Sequence, residues 1–235
     1  MKKIKKHILV ISVLLLLALT ICLRLPLVQV FQESRERHIV VIDVGHGGFD
    51  PGKVSADNTL EKDINLAIAL RLKFYLEAQD CQVYLTREED CSLSDSDARN
   101  KKQSDMRNRV ALVEQYQADL MVSIHQNSFS STKEHGAQTF YYHTSDNSQL
   151  LAECIQNSLI ETVDPDNTRR HKSNDSYYIL KNVSCPAVIV ECGFLSNPTE
   201  SALLNTDIYQ DKIAYAISKG VRTYLNLSES NSIQE

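Results

Sequence analysis

The chain has 235 residues, of which 43% are hydrophobic and 23% charged, so it can bury one sizeable core. It carries 25 basic and 30 acidic side chains, and five of the basic residues lie within the first 31 positions, at positions 2, 3, 5, 6 and 24. The remaining chain therefore has a formal charge of about −10, which argues against a nucleic-acid partner and against purely electrostatic adhesion to an anionic polymer.

The first 31 residues are typical of a signal peptide or signal anchor. Lysines precede an apolar run over residues 8–23, which continues past Arg24 to residue 31, and this length is shared by export signals and membrane anchors. Because no small-x-small cleavage pattern follows, we favour a segment that stays attached to the membrane while the rest of the chain is exported. Residues 32–38 form a charged linker.

The six cysteines do not form a recognisable disulfide framework. Cys22 lies in the apolar run, and the other five are scattered without a CxxC pair. We interpret Cys81, Cys154 and Cys192 as small buried core residues. A single bridge remains an open alternative.

The rest of the chain alternates between predicted strands and helices. Short β-branched or alternating runs predict extended segments at residues 39–42, 82–86, 120–124, 137–142, 177–180 and 187–190. Apolar residues at helical spacing predict helices at residues 61–78, 106–116, 149–160 and 208–225. Polar composition predicts loops at residues 91–104, 127–134 and 164–173, and a frayed tail at residues 227–235. This order predicts an α/β fold, a single-domain sandwich over residues 39–226 with a mostly parallel or mixed sheet flanked by helices.

Reactive side chains follow three of the predicted strands. His46 lies between glycines after the first strand, and His125 and Glu191 each follow a later β-branched run. Ligands of open α/β sheets bind beyond the carboxyl ends of the strands, so we expect these residues to meet in one cleft. Glu61 begins a predicted helix, where the helix dipole favours an ionised carboxylate, and we interpret it as a metal ligand beside His46.

These residues together predict metal-assisted amide hydrolysis. Two histidines and one carboxylate are a donor set of catalytic zinc that leaves a position for water. A carboxylate that binds no metal can take and return a proton, and we assign this role to Glu191. The spacing alone is of moderate specificity because no HExxH motif occurs. A loop histidine at His46, a core histidine at His125 and a helix-start carboxylate at Glu61 remain open alternatives.

Five ordered motifs resemble those of the zinc-dependent N-acetylmuramoyl-L-alanine amidases, over about residues 38–225. They are DVGHGG at 43–48, LEKD at 60–63, LTR at 85–87, SIHQN at 123–127 and VECGFLSNP at 190–198. The resemblance implies zinc ligands His46, Glu61 and His125, with Glu191 as the catalytic residue. Val44 stands where the family commonly has proline, and Cys192 follows the catalytic glutamate, but neither departure removes a ligand or the base.

Residues 136–142 and 167–170, together with the N-terminal segment, narrow the resemblance to the germination-specific, spore-cortex branch of this family. The branch implies cleavage of the amide bond between N-acetylmuramic acid and L-alanine in peptidoglycan. This cleavage prepares muramic acid for conversion to muramic-δ-lactam, which germination lytic enzymes recognise. It also implies an exported enzyme in the forespore intermembrane or cortex space. A zinc carboxypeptidase acting on the stem peptide and a non-catalytic wall-binding protein remain the alternatives.

Several further residues have weaker assignments. Arg169 and Arg170 are predicted to hold stem-peptide carboxylates by charge-assisted bonds, although a solvated basic loop explains them equally well. Asn127 is predicted to orient a metal-bound imidazole, and Arg87 and Arg109 are expected to form structural ion pairs. Because ligands on separate loops need a preorganised fold, an accessory protein that supports zinc binding is a further predicted partner.

Overall fold

The computed structural model of this chain describes residues 14, 17 and 37–232, without the side chains of residues 229, 231 and 232. The predicted signal or anchor segment, apart from residues 14 and 17, lies outside the described residues, as does most of the predicted linker. Within the part of the chain that is described, no helix is both long and apolar enough to cross a membrane. The fold below is that of the described residues from 38 to 232.

Six strands form one mixed sheet. They are β1 (Ile39–Val44), β2 (Gln82–Leu85), β3 (Leu120–Asn127), β4 (Gln138–Tyr141), β5 (Lys172–Ser173) and β6 (Ala187–Phe194). Their order across the sheet is β2-β1-β3-β6-β4-β5. The neighbours β2, β1, β3 and β6 are parallel, whereas β4 is antiparallel to β6 and parallel to β5. The carboxyl ends of β1, β3 and β6 therefore lie at one edge of the sheet.

Helices cover both faces of this sheet. They are α1 (Glu61–Glu77), α2 (Lys101–Gln115), α3 (Asp146–Thr162), α4 (Tyr178–Asn182), α5 (Pro198–Leu204) and α6 (Asp207–Ser232). One apolar cluster joins one face of the sheet to α1, α3 and α6, and a second joins the other face to α2 and α4. Successive strand residues point to opposite faces: Val40 and Ile42 enter the first cluster and Val41 the second. The predicted α/β sandwich with a mixed sheet is confirmed.

Several predicted boundaries were wrong. The start of α2 at Lys101 lies inside the predicted loop 91–104, because the Asn100 side chain accepts a hydrogen bond from the Gln103 backbone N–H and caps the helix. The helix α6 extends to Ser232, past its predicted end and through most of the predicted tail. The serine hydroxyls at positions 228 and 230 donate hydrogen bonds to the backbone carbonyls of Leu225 and Asn226 within this helix.

The region between β4 and β6 also differs from its prediction. Residues 177–180, predicted as extended, belong largely to the short helix α4, and the predicted loop 164–173 contains the two-residue strand β5. The Asn174 side chain accepts hydrogen bonds from the backbone N–H groups of Ser176 and Tyr177, which turns the chain into α4. This turn brings Tyr177 to the sheet edge where the reactive residues lie.

The cysteines of the described chain are all free. Cys81, Cys154 and Cys192 are buried, as predicted, and Cys91 and Cys185 are partly buried. Burial raises the pKa of the Cys185 thiol to about 12 and that of Cys192 further still, so both stay protonated at neutral pH. These thiols are packing groups in this fold.

Candidate metal centre

His46, Glu61 and His125 meet at the carboxyl edge of the sheet. The Oε1 atom of Glu61 lies 3.1 Å from His46 Nε2 and 3.1 Å from His125 Nδ1. One ligand atom from each residue lies within 4.8 Å of the other two. Two imidazole nitrogens and one carboxylate oxygen are donors that zinc accepts, so this group fits a divalent metal ion.

An unusual backbone places His46. After β1 ends, His46, Gly47 and Gly48 have positive φ angles of 60°, 132° and 56°. A positive φ is uncommon for a residue with a Cβ atom and is concentrated at functional sites. The turn directs the imidazole of His46 back towards α1 rather than along the strand.

Gly45 makes room for the second imidazole. A Cβ atom at this position would lie 2.4 Å from His125 Cε1 and 2.5 Å from His125 Nε2, so only glycine fits here. His125 itself lies within β3 and not after its end, because β3 continues to Asn127. Glu191 similarly lies within β6 and is the direct register partner of His125.

Glu61, the first residue of α1, is fixed through both of its oxygens. Its Oε1 accepts a hydrogen bond of 3.0 Å from the Gln126 backbone N–H, and its Oε2 accepts one of 2.7 Å from that of Lys53. Burial opposes ionisation of this carboxyl, but hydrogen bonds and charges from His125 and His46 outweigh it and hold the pKa of Glu61 well below its usual value. The carboxylate is therefore ionised and oriented, as a metal ligand must be.

Asp50 orients His46 from its other side. Its Oδ2 lies 3.0 Å from His46 Nδ1, so the imidazole lies between two carboxylates. Burial lowers the pKa of His46, but Glu61 and then Asp50 outweigh this effect and raise it above the usual value. A carboxylate that holds the second nitrogen of a histidine ligand fixes its tautomer and ring orientation. Sequence reasoning does not single out Asp50, which lies in a turn of ordinary composition.

Glu191 is a buried carboxyl beside the three donors. Its side chain has an oxygen, Oε2, that is buried without a hydrogen-bond partner among the described residues. The other oxygen accepts a bond of 3.4 Å from the Tyr177 hydroxyl. Burial raises the pKa of Glu191 above its usual value, and burial together with Glu191 raises that of Tyr177 to about 12. Glu191 thus presents one unpaired oxygen close to the donors.

A cavity of about 360 Å³ adjoins these groups. Besides the three donors and Glu191, its lining includes Phe49, Asp50, Lys102, Met106, Tyr177 and Tyr178. Arg169, Arg170 and Asn127 are not among the lining residues. Their predicted role in substrate binding therefore gains no support from position and stays a prediction.

The side chains of Arg169 and Asn127 have other partners. The guanidinium of Arg169 pairs with Glu134 at 2.6 Å and stacks 4.5 Å from the centroid of the Phe194 ring. The side-chain oxygen of Asn127 accepts a hydrogen bond from the Ser128 backbone N–H. Asn127 was predicted to orient the imidazole of His125, and the Nδ1 atom of that ring lies 3.1 Å from Glu61 Oε1.

The two arginines expected to form ion pairs differ from each other. Arg109 pairs with Asp43 at 2.8 Å and with Asp105 at 2.6 Å, as predicted. Arg87 instead donates to backbone carbonyl oxygens, among them those of Gly45, His46 and Lys62. The turn after β1 leaves the carbonyls of Gly45 and His46 without strand partners, and the buried guanidinium satisfies both together with the Lys62 carbonyl of α1.

Gly52 offers a test of how closely the donors are packed. It has a φ of +68°, and a Cβ atom there would lie 2.6 Å from Glu61 Oε2 and 2.7 Å from His46 Cδ2. We expect Gly52→Ala to displace both ligands and to weaken metal binding about 10- to 100-fold, measured by competition with a chelator. The control is Gly220→Ala, whose Cβ would meet Ile155 away from the donors and should lower stability alone. Unchanged metal affinity in Gly52→Ala would contradict the expectation.

Comparison with known proteins is consistent with this geometry. A family profile described as N-acetylmuramoyl-L-alanine amidase matches residues 40–223. The germination-specific N-acetylmuramoyl-L-alanine amidase of Bacillus subtilis (strain 168) is 40% identical over 189 residues, which are 79% of each chain.

Solved structures agree. The CwlD amidase of Clostridioides difficile, in complex with the GerS lipoprotein, aligns with a TM-score of 0.79 and 43% identity over 81% of this chain and all of that one. An N-acetylmuramoyl-L-alanine amidase of Clostridium difficile 630 aligns with a TM-score of 0.73 and 32% identity, over 81% of this chain and 97% of the other. The chain is an enzyme that belongs to the N-acetylmuramoyl-L-alanine amidase family.

Proposed function

We propose that this amidase uses Zn²⁺ held by His46, Glu61 and His125, with Glu191 as its proton carrier, and that its substrate is spore-cortex peptidoglycan. The bond cleaved joins the lactyl group of N-acetylmuramic acid to the L-alanine of the stem peptide. The observation that carries the proposal is the unpaired, buried oxygen of Glu191 beside three convergent metal donors. The similarity to germination-specific relatives supports the cortex as the source of substrate.

The donor set supports zinc as the ion. Neutral imidazoles and one ionised carboxylate suit zinc better than magnesium or calcium, which prefer oxygen ligands. When bound, zinc polarises the scissile carbonyl and lowers the pKa of a coordinated water to about 7. Contacts with Asp50, Lys53 and Gln126 orient the side chains of His46 and Glu61.

Glu191 handles the proton in this proposal. Its free oxygen accepts a proton from the attacking water and returns it to the amide nitrogen as the peptide leaves. The raised pKa that burial gives Glu191 suits a group that must both take and release a proton. Tyr177 donates to the other oxygen of Glu191 and keeps the free one available.

The products of peptidoglycan digestion test this proposal. We expect mass spectrometry to find stem peptides with a new L-alanine amino terminus and a glycan strand of unchanged length. A zinc carboxypeptidase, the alternative enzyme for this donor set, would instead release an amino acid from the far end of the stem peptide. Release of that amino acid with the muramoyl amide intact would overturn the assignment.

The proposed setting is an exported enzyme with an accessory partner. The relative CwlD was solved with the GerS lipoprotein, and we extend this to propose a lipoprotein partner that supports metal binding here, at the forespore membrane or cortex. The N-terminal segment would provide attachment to that membrane. Metal content of the purified chain, measured alone and with a candidate lipoprotein, tests the dependence directly. Equal zinc occupancy in both samples would show that the partner does not support metal binding.

A further inference from the structure

We propose that Lys102 binds the free carboxylate of the second stem-peptide residue, so that the enzyme distinguishes acidic stem peptides from amidated ones. The inference rests on the proposed function, because it concerns the peptide side of the same cleft. Lys102 lines the cavity, whereas Arg169 and Arg170, which were also predicted to hold stem-peptide carboxylates, do not.

Lys102 lies close to the metal donors. It is the second residue of α2 and lines the same cavity as His46 and Glu191. Its Nζ is 3.7 Å from Asp50 Oδ2, which in turn is 3.0 Å from His46 Nδ1. One intervening side chain, Asp50, therefore separates the ammonium group from a ligand of the proposed metal.

The charges around the cavity single out Lys102 as the cation available to a substrate. Five of the lining residues are acidic: Asp43, Asp50, Glu61, Asp105 and Glu191. The other lining cation, Arg109, is buried and held by two of these carboxylates. The Lys102 side chain is 74% exposed, and its 3.7 Å separation from Asp50 is too long for a direct hydrogen bond. An anionic peptide entering this acidic cleft needs such a cation.

The chemistry of the stem peptide fits this position. The peptide begins with L-alanine, and its second residue is D-glutamate. This glutamate is joined to the third residue through its side-chain carboxyl, which leaves its α-carboxylate free. In an extended peptide this carboxylate lies about 7 Å from the scissile nitrogen. Contacts of 3.0 Å and 3.7 Å lead in turn from His46 Nδ1 to Asp50 and from Asp50 to the Lys102 ammonium group. Because Lys102 lines the same cavity as the donors, a peptide bound at the donors brings this carboxylate near its long, exposed side chain.

The test combines substitutions of Lys102 with a change of the substrate carboxylate. Muramoyl peptides are prepared with the second-residue carboxylate either free or amidated, and KM is measured for wild type, Lys102→Ala and Lys102→Arg. We expect Lys102→Ala to raise KM for the free-carboxylate peptide about two- to fivefold, with little change for the amidated peptide. Lys102→Arg should restore the lower KM. Added salt should raise the wild-type KM for the free-carboxylate peptide alone.

Lys101→Ala is the matched control. Lys101 is an exposed neighbour on the same helix turn and does not line the cavity, so its removal changes net charge equally without changing the KM ratio of the two peptides. An equal rise for both peptides in Lys102→Ala, or an equal effect of Lys101→Ala, would overturn the inference. Failure of wild type to cleave either peptide would instead count against the proposed function.

Discussion

Glu191→Gln is expected to abolish amide cleavage while leaving the metal bound. Glutamine preserves the shape of the side chain and its bond from Tyr177, but it cannot accept a proton from water. Proton transfer by a positioned side chain contributes about 10²- to 10⁴-fold to rate, so kcat should fall by that factor. Product analysis on muramoyl peptides measures the rate, and elemental analysis of the same sample measures the metal.

Two other glutamates provide controls for this experiment. Glu61→Gln should lose metal and activity together, because Glu61 is a proposed ligand. Glu200→Gln should lower stability but retain cleavage per folded molecule, because Glu200 accepts hydrogen bonds from the backbone N–H groups of Gly136 and Phe194. Undiminished cleavage in Glu191→Gln would refute its role as proton carrier. Loss of the metal in that variant would reassign Glu191 to the ligands.

Arg109→Leu is expected to destabilise the fold by about 3–5 kcal/mol, since it leaves buried carboxylates without their partner. The side chains of Arg109 and Asp43 are 3% and 2% exposed, and their atoms are 2.8 Å apart. Arg109 also donates to the backbone oxygens of Val44 and His46, so metal affinity should fall as well. Urea denaturation measures the loss, and Arg107→Ala, an exposed arginine on the same helix, should change stability by less than about 0.5 kcal/mol.

The same ion pair predicts how stability depends on pH. Burial opposes ionisation of Asp43, but Arg109 and the Ser123 hydroxyl outweigh it and hold the pKa of Asp43 below its usual value. A lowered pKa contributes stability that is fully present above the unfolded value of about 3.9 and is lost as the pH falls through the folded value. The stability difference between wild type and Asp43→Asn should therefore shrink below about pH 4. A difference that grows in acid would contradict this.

The proximity of the reactive residues could be predicted from sequence because it follows from the order of the strands and helices. His46, His125 and Glu191 follow or lie in β-branched segments, and parallel neighbouring strands carry such residues to one edge of the sheet. Glu61 was predictable because a helix begins there. The chemical roles of these four residues are still predictions, but their proximity follows from the order of strands and helices.

The supporting residues could not be read from the sequence in the same way. Tyr177 reaches Glu191 because an Asn174 turn and the short helix α4 follow β5, and a five-residue helix leaves no periodicity. Arg169 lies in a basic and polar stretch, whose local sequence gives no indication of the residues that it contacts in the fold. Its actual partners, Glu134 and Phe194, are distant in sequence, and only the three-dimensional fold brings them together.

The left-handed backbone at His46 restricts which ligands evolution or design can place there. Asparagine, aspartate and histidine occur in this conformation several times more often than other residues with a Cβ atom. Among the usual metal-binding side chains, aspartate thus shares the conformational tolerance of histidine, whereas glutamate and cysteine do not. Replacing His46 with glutamate or cysteine would therefore add backbone strain to the loss of the imidazole.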